Sequence, residues 1–517
     1  MILVMMQPSL DWLVFFCIFL FLANFLMSAV WLMTAEPQGT VIQIFFDLKT
    51  SYYIWCKKIV REIAFYSSNE SVSFKLRERG DPMKIVIIGG SFGGVSCARE
   101  ARRLYPDAEI LLIEKKAHLG FVPSGLLLLI EGRIASLEEA FFCTKEQLEA
   151  ETIDVALEET LLEIFPSDHR IRTDKRELSY DRLVLAAGSS QDSTVLPQPE
   201  EALLTYKEYE AAKHFLQQLP QAESITIVGA GQAGMEAANT LTAIGKKVSV
   251  IESMSYPLFK YFDHDFLQPF LTEIEKIPNL QLHWSKPTLA VVKTETGFRI
   301  ETADQGYESD LVLTTVNVHP RLPEAFAVFE LHSDQTIWTD AYLETSATDI
   351  FAVGDLIQIP NAITKDTVYM PLVNNAVRSG IAAARNLASK TIPFRGGLRT
   401  VGTQLFGWYL ASTGLTESDR FFFESPIVCH TFTAASSLFD PTQVHGKVMI
   451  EQASGRIVGA QLLSKANILE KINLLAFAIE QQATMEELTQ KDFFFHPRFT
   501  NVIDETFLWS GSDADET

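Results

Sequence analysis

Cysteine is scarce in this 517-residue sequence. The five that occur, Cys17, Cys56, Cys97, Cys143 and Cys429, form no CxxC pair and no cluster with metal-ligand spacing. Neither a disulfide framework nor a metal site is expected, and a reducing, cytoplasmic compartment fits. Basic charge is also short: 43 Lys and Arg against 65 Asp and Glu leave a net charge of −22, with no Lys/Arg-rich tail. Without a cationic surplus to neutralise phosphates, nucleic-acid binding is argued against. Disorder is argued against by composition, since 47% hydrophobic and 21% charged residues suit a globular chain with a large core. The length suggests about three domains.

The first 82 residues differ from the rest. Trp12 to Met33 is an apolar run broken only by Asn24 and Ser28, long enough to cross a bilayer. No Lys or Arg precedes it, so it is a poor signal peptide. Lys49, Lys57, Lys58 and Arg61 come after it, and a real span would therefore keep the rest of the chain cytoplasmic. The other reading is a mis-assigned gene start. Residues 34–82 show no sustained periodicity, and Met83 opens directly onto the strand-like KIVIIGG. Seven basic and seven acidic residues cancel in segment 1–82, so the whole charge of −22 belongs to residues 83–517. A membrane partner is expected only if residues 12–33 are retained.

What the sequence has in abundance is nucleotide-binding pattern. From Met83 it reads as a strand, a Gly-rich turn, a helix ending near Pro106, a second strand and a terminal acid. Gly89, Ser91 and Gly94 take the places of G-x-G-x-x-G, with Gly90 and Gly93 allowing close approach and Glu114 closing the unit. Such glycines let backbone N–H groups meet a pyrophosphate at a helix N-terminus, while the acid takes ribose hydroxyls. A second copy is SITIVGAGQAGMEAANTLTAIGKKVSVIE, with Gly229, Gly231 and Gly234 before Glu252. An acid there accepts the adenosine 2′-OH and repels a 2′-phosphate, and no arginine occurs in the next stretch, SMSYPLF, so NADH is favoured over NADPH. A third segment, TDIFAVGDLIQIP, delivers Gly354 and Asp355 from a buried strand, and YDRLVLAAGSS places Gly188 between the first two motifs.

In that order the motifs resemble the FAD-dependent pyridine nucleotide-disulfide oxidoreductases, and within them the NADH oxidase, NADH peroxidase and coenzyme A-disulfide reductase group. FVPSGLLLLIEG, PLFKYFD, LASTGL, SGRIVGAQLLSKA and DFFFHPRF extend the resemblance over about residues 83–510. It implies an α/β fold with two Rossmann-like domains and an α+β dimerisation domain. FAD is assigned to 83–195 with 319–392, NADH to 196–318, and dimerisation to 393–510, leaving 1–82 as an extension. A homodimer is implied, with the DFFFHP segment approaching the partner's flavin. Glu236 and Tyr261 match family positions near the nicotinamide pocket.

The resemblance fails at the reaction centre. The family's redox cysteine, in a motif like F-x-x-C-G, aligns with Ser124 of Phe121-Val122-Pro123-Ser124-Gly125. A hydroxyl forms neither a thiolate-like nucleophile at neutral pH nor a sulfenic acid. A histidine often carried in the first Gly-rich turn is replaced by Phe92, the aromatic gate of the second turn by Gln232, and a G-x-R-P stretch reads Asn317-Val318-His319-Pro320. Cys97 and Cys143 read as packing residues, and Cys429 and His430 fall on opposite faces of a strand. His496, before Pro497, resembles the partner-side histidine of some disulfide reductases and is a candidate acid/base or a pocket wall. Hydride transfer from NADH to FAD needs positioning rather than a cysteine. The expected activity is an NADH oxidoreductase discharging to O2 or another small acceptor such as peroxide or quinone, without a sulfenate relay. A membrane-associated NADH:quinone oxidoreductase and a non-catalytic flavin-binding dimer remain as alternatives.

Overall fold

The computed structural model describes residues 82–191, 197, 199, 203–316 and 318–500. The apolar run Trp12 to Met33 and the start-site question lie outside the described residues. Among the described residues no helix is long and apolar enough to cross a membrane.

Two parallel sheets repeat one topology. In the first, Lys84–Ile88 lies at the centre, flanked by Glu109–Glu114 and then Asp154–Leu157 on one side, and by Arg182–Leu185 and then Ile350–Ala352 on the other. In the second, Ser224–Val228 is central, flanked by Lys247–Ile251 and Leu280–His283, and by Leu311–Thr314 and Leu203–Leu204. The central strands read IVII and ITIV, near-continuous apolar runs interrupted only by Thr226, because parallel strands are covered on both faces. Each leads into a Gly-rich turn and a helix: α1 (Phe92–Leu104) in the first unit, with α2 (Gly125–Ile130) after the next strand, and α3 (Gln232–Ala243) in the second. Ligands of such sheets bind beyond the carboxyl ends of the strands, where these turns lie.

The first sheet is assembled from distant segments. Helix α4 (Val373–Asn386) packs on α1, and Gly380 makes that approach possible: a Cβ there would lie 2.3 Å from the Gly93 carbonyl oxygen. The third layer is an antiparallel sheet ordered Val401–Leu405, Trp408–Gly414, Ile457–Ser464, Asp440–Glu451, Ile427–Ser437. The helix Lys471–Glu480 packs on it through Ile472, Leu475 and Ile479. Cys429 and His430 are consecutive in its edge strand, so their side chains leave opposite faces as alternation requires.

Candidate functional site

The first Gly-rich turn cannot be built from larger residues. Gly89 has φ +112°, and a Cβ on it would lie 2.2 Å from the Ala186 carbonyl oxygen; on Gly94 it would lie 1.9 Å from the Gly89 oxygen. A chain threaded that tightly exposes its N–H groups at the start of α1, where the Ser91 hydroxyl caps nothing. Glu114 closes the turn: Gly90 N donates to its Oε2 at 2.7 Å and Lys116 N to its Oε1 at 3.0 Å. The second turn repeats the design. Gly229 has φ +104°, and a Cβ on Gly234 would meet the Gly229 oxygen at 2.0 Å. Ala230 N donates to Glu252 Oε2 at 2.7 Å, and Met254 N to Oε1 at 2.9 Å. Gly231 begins α3 with open space on its Cβ side. Both acids therefore hold their own turns, a task the motif pattern does not announce.

A cavity of about 690 Å³ opens at the first turn. Gly89, Gly90, Ser91, Phe92, Gly93 and Glu114 form one wall, and Gly188, Gly354 and Asp355 reach it from the other strands. Gly94 lies behind, in the helix. Gly354 has φ +67°, and its N–H donates to Ser379 Oγ at 2.9 Å, which fixes where Asp355 points. The Ser189 hydroxyl donates to Asp355 and accepts from Lys207 Nζ at 2.7 Å. Burial holds the Lys207 amine below its usual range, although Asp355 and Glu208 oppose that shift. Glu208 pairs with Lys116 and, at 2.8 Å, with Arg321. His118 stands against the rings of Phe141 and Tyr209, with its Nε2 buried and without a hydrogen bond. Burial first, and the Lys116 charge next, keep this imidazole neutral below its ordinary range.

These residues fit FAD. A Cβ on Gly89, Gly90 or Gly94 would collide with its surroundings and force the turn open, the N–H groups at the start of α1 suit a pyrophosphate, and the cavity has the size of a cofactor site. Lys207, Glu208, Arg321 and His118 escaped sequence reading because they lie outside any glycine motif and meet it only through tertiary contact.

Phe92 lines the cavity and stacks on Phe142, centroids 4.5 Å apart and planes 9° apart. Ser124 precedes α2 in an exposed position, its hydroxyl making no capping bond; its neighbours Phe121 and Pro123 line the cavity and Ser124 does not. Glu236, on α3, accepts from Gln232 Nε2 at 2.9 Å and from Thr403 Oγ1 at 2.7 Å, so a residue of the antiparallel sheet sets its orientation. Tyr261 is largely buried, which raises its phenol pKa. His496 is exposed, away from the cavity of its own chain; its Nδ1 accepts from Arg498 N at 3.2 Å and its ring lies 5.0 Å from Phe499. Among the described residues no cysteine lines the cavity. Burial pushes the thiol of Cys97 up to about 12 and that of Cys429 up to about 11, and raises Cys143 as well.

Comparison with known proteins agrees with this geometry. Residues 83–380 match the pyridine nucleotide-disulphide oxidoreductase family, and residues 402–507 match its dimerisation domain. A pyridine nucleotide-disulfide family oxidoreductase of Enterococcus faecalis V583 superposes with a TM-score of 0.74 at 37% identity, covering 83% of this chain and 98% of that one. The water-forming NADH oxidase of Lactobacillus brevis, solved bound to NADH, gives a TM-score of 0.79 at 25% identity, over 83% of this chain and 97% of its own. An NADH oxidase of Enterococcus faecalis is 28% identical over 428 residues, 81% of this chain and 96% of that protein. With two doubly wound sheets, a cavity at the first Gly-rich turn and an antiparallel third domain, the chain belongs to the pyridine nucleotide-disulphide oxidoreductase family.

Proposed function

We propose that this chain is an FAD-dependent NADH oxidoreductase that delivers electrons to O2 or another small acceptor without a cysteine relay. The observation that carries this reading is the duplicated turn, glycine cradle and strand-end glutamate, with a cofactor-sized cavity at the first copy. FAD bound there supplies two-electron chemistry between NADH and the acceptor. The N–H groups at the start of α1 hold its pyrophosphate, Glu114 keeps the turn closed and offers its remaining lone pairs to ribose, and Asp355 is aimed by Ser189 and Lys207. Gly229, Gly231, Gly234 and Glu252 hold NADH, and Glu236 and Tyr261 wall its nicotinamide end.

In this reading Ser124 stands where the family has its redox cysteine, and none of the three described thiols, all with raised pKa values, lines the cavity. With O2 as acceptor the balance is NADH, H⁺ and O2 giving NAD⁺ and H2O2. The reading includes a homodimer. Phe421, Phe422, Phe439, Phe494 and Phe495 are each more than half exposed, a large apolar area for a single copy to leave in water. His496 lies in the same exposed segment. We place the protein in the cytoplasm, where Cys97, Cys143 and Cys429 stay free.

The test is stopped-flow mixing of the full-length, FAD-loaded protein with NADH under argon, then addition of oxygen and an assay for peroxide. Flavin bleaching and then one H2O2 per NADH is the expected result. An unbleached flavin would remove the proposal.

A further inference from the structure

Lys447 is an ammonium with only 2% of its side chain exposed, facing three carboxylates. Its Nζ lies 3.1 Å from Asp263, 3.1 Å from Asp265 and 2.8 Å from Glu417. The carboxylates converge within 4.8 Å of one another, an arrangement that also suits a cation, and the lysine takes that place. Burial works against the charged amine and the carboxylates overcome it, so its pKa stands above the ordinary lysine value.

The cluster joins two domains. Lys447 and Gln461 are paired residues on adjacent strands of the antiparallel sheet, so they present their side chains side by side. Gln461 grips Asp263 twice: it accepts from Asp263 N at 3.0 Å and donates to Asp263 Oδ2 at 2.7 Å. Glu417 N donates to Asp263 Oδ1 at 3.0 Å. At Lys260, three residues before Asp263, the carbonyl accepts from Arg399 Nη1 at 3.3 Å, and Arg399 pairs with Asp419.

What is held is the segment Pro257 to Asp263, and it leads straight to the second Gly-rich turn. Leu258 N donates to the Ala230 carbonyl at 2.9 Å, and Tyr261 N to the Leu258 carbonyl at 2.9 Å. Leu258 has φ +59° while 1% exposed, a conformation that a leucine keeps only where its surroundings impose it. A rigid sheet therefore grips one end of this loop, and the nucleotide turn holds the other.

We infer that Lys447 is a positioning residue for the nicotinamide cofactor, acting through Asp263 to fix the loop that carries Leu258 and Tyr261 beside the second turn. This rests on the reading that the second sheet takes NADH. Loosening the junction frees the loop and weakens NADH binding. The FAD cavity, built on the other sheet, is untouched.

The experiment compares full-length wild type with Lys447→Met and Glu417→Gln, each loaded with FAD. NADH and NAD⁺ affinity is measured by calorimetry, reduction by NADH and by dithionite in stopped flow, and melting temperature alongside. The expected result is an NADH dissociation constant raised about tenfold in Lys447→Met and less in Glu417→Gln. Flavin spectrum, dithionite reduction and the rate at saturating NADH stay near wild type. Unchanged NADH affinity in both variants overturns the inference, as does a parallel fall in melting temperature, FAD retention and NADH affinity. If Lys447→Met does not fold, Glu417→Gln decides alone, because it leaves no buried charge without a partner. Wild type that binds NADH without bleaching removes the proposed function and leaves this test standing. Wild type that binds neither NADH nor NAD⁺ overturns both.

Discussion

Glu252 and Ala230 are joined by a 2.7 Å hydrogen bond from the Ala230 N–H to the buried carboxylate, across the mouth of the second Gly-rich turn. The acid at the end of the strand thus shapes the site before any ligand arrives. Removing it orphans the N–H groups of Ala230 and Met254. Hydrogen bonds to a charged partner are worth about 1.5–3 kcal/mol each, so Glu252→Ala, which removes two, is expected to destabilise the chain by about 3 kcal/mol or more. It should also raise the KM for NADH and NADPH together. Thermal melts and kinetics with both cofactors check this; improved NADPH use with an unchanged melt would count against it.

Gly94→Ala is expected to give protein without yellow colour. The new Cβ would sit 1.9 Å from the Gly89 carbonyl oxygen, so strand and helix must part. The clash is with backbone, which cannot rotate away as a side chain can. The flavin absorbance of the purified variant, with circular dichroism to confirm folding, reads the outcome.

Ser124→Cys puts a thiol at the start of α2, where helix N–H groups lower thiol pKa values. If this is the family's redox position, the variant gains a peroxide-reactive thiol, trapped by a sulfenate-selective label. The H2O2 recovered per NADH should then fall, while anaerobic reduction by NADH stays at the wild-type rate. An unlabelled thiol with unchanged peroxide yield would place Ser124 away from the reaction.

His118 supplies a pH test. Its pKa is lowered, by burial first and by Lys116 next, with Glu210, Glu114 and Glu208 facing it and pulling the other way. The unfolded chain takes up this proton near 6.5, its ordinary value, whereas the folded chain takes it up only at lower pH. In that window the unfolded state binds more protons, so the contribution of His118 to stability is full above pH 6.5 and declines as the pH falls below it. Denaturant melts of wild type and His118→Phe across that range should diverge, with the wild type losing more stability on acidification.

The two nucleotide units were legible because their chemistry is local. Turn, helix, strand and acid sit within one short stretch, and the glycines are imposed by contacts with the adjoining backbone. The GD segment was legible only through its order after the others. The remainder was hidden by distance along the chain. Ser189 meets Asp355 across 166 positions, Glu236 meets Thr403 across 167, and Asp263 meets Gln461 across 198. None of these pairs leaves a periodicity or a spacing to find. The strand-end glutamates show a subtler gap: the pattern places them at the ends of the second strands, while their hydrogen bonds to their own turns depend on the angle between strand and loop.

The interrupted first sheet has a consequence for how the chain is made. Its last strand, Ile350–Ala352, adds beside Arg182–Leu185, whereas every strand of the second sheet lies between Leu203 and Thr314. A nascent chain emerging amino end first therefore carries a finished second nucleotide fold while the first still lacks an edge. The wall that bears Asp355 is translated after the inserted domain, so the site that begins at Gly89 closes only when synthesis has passed that domain.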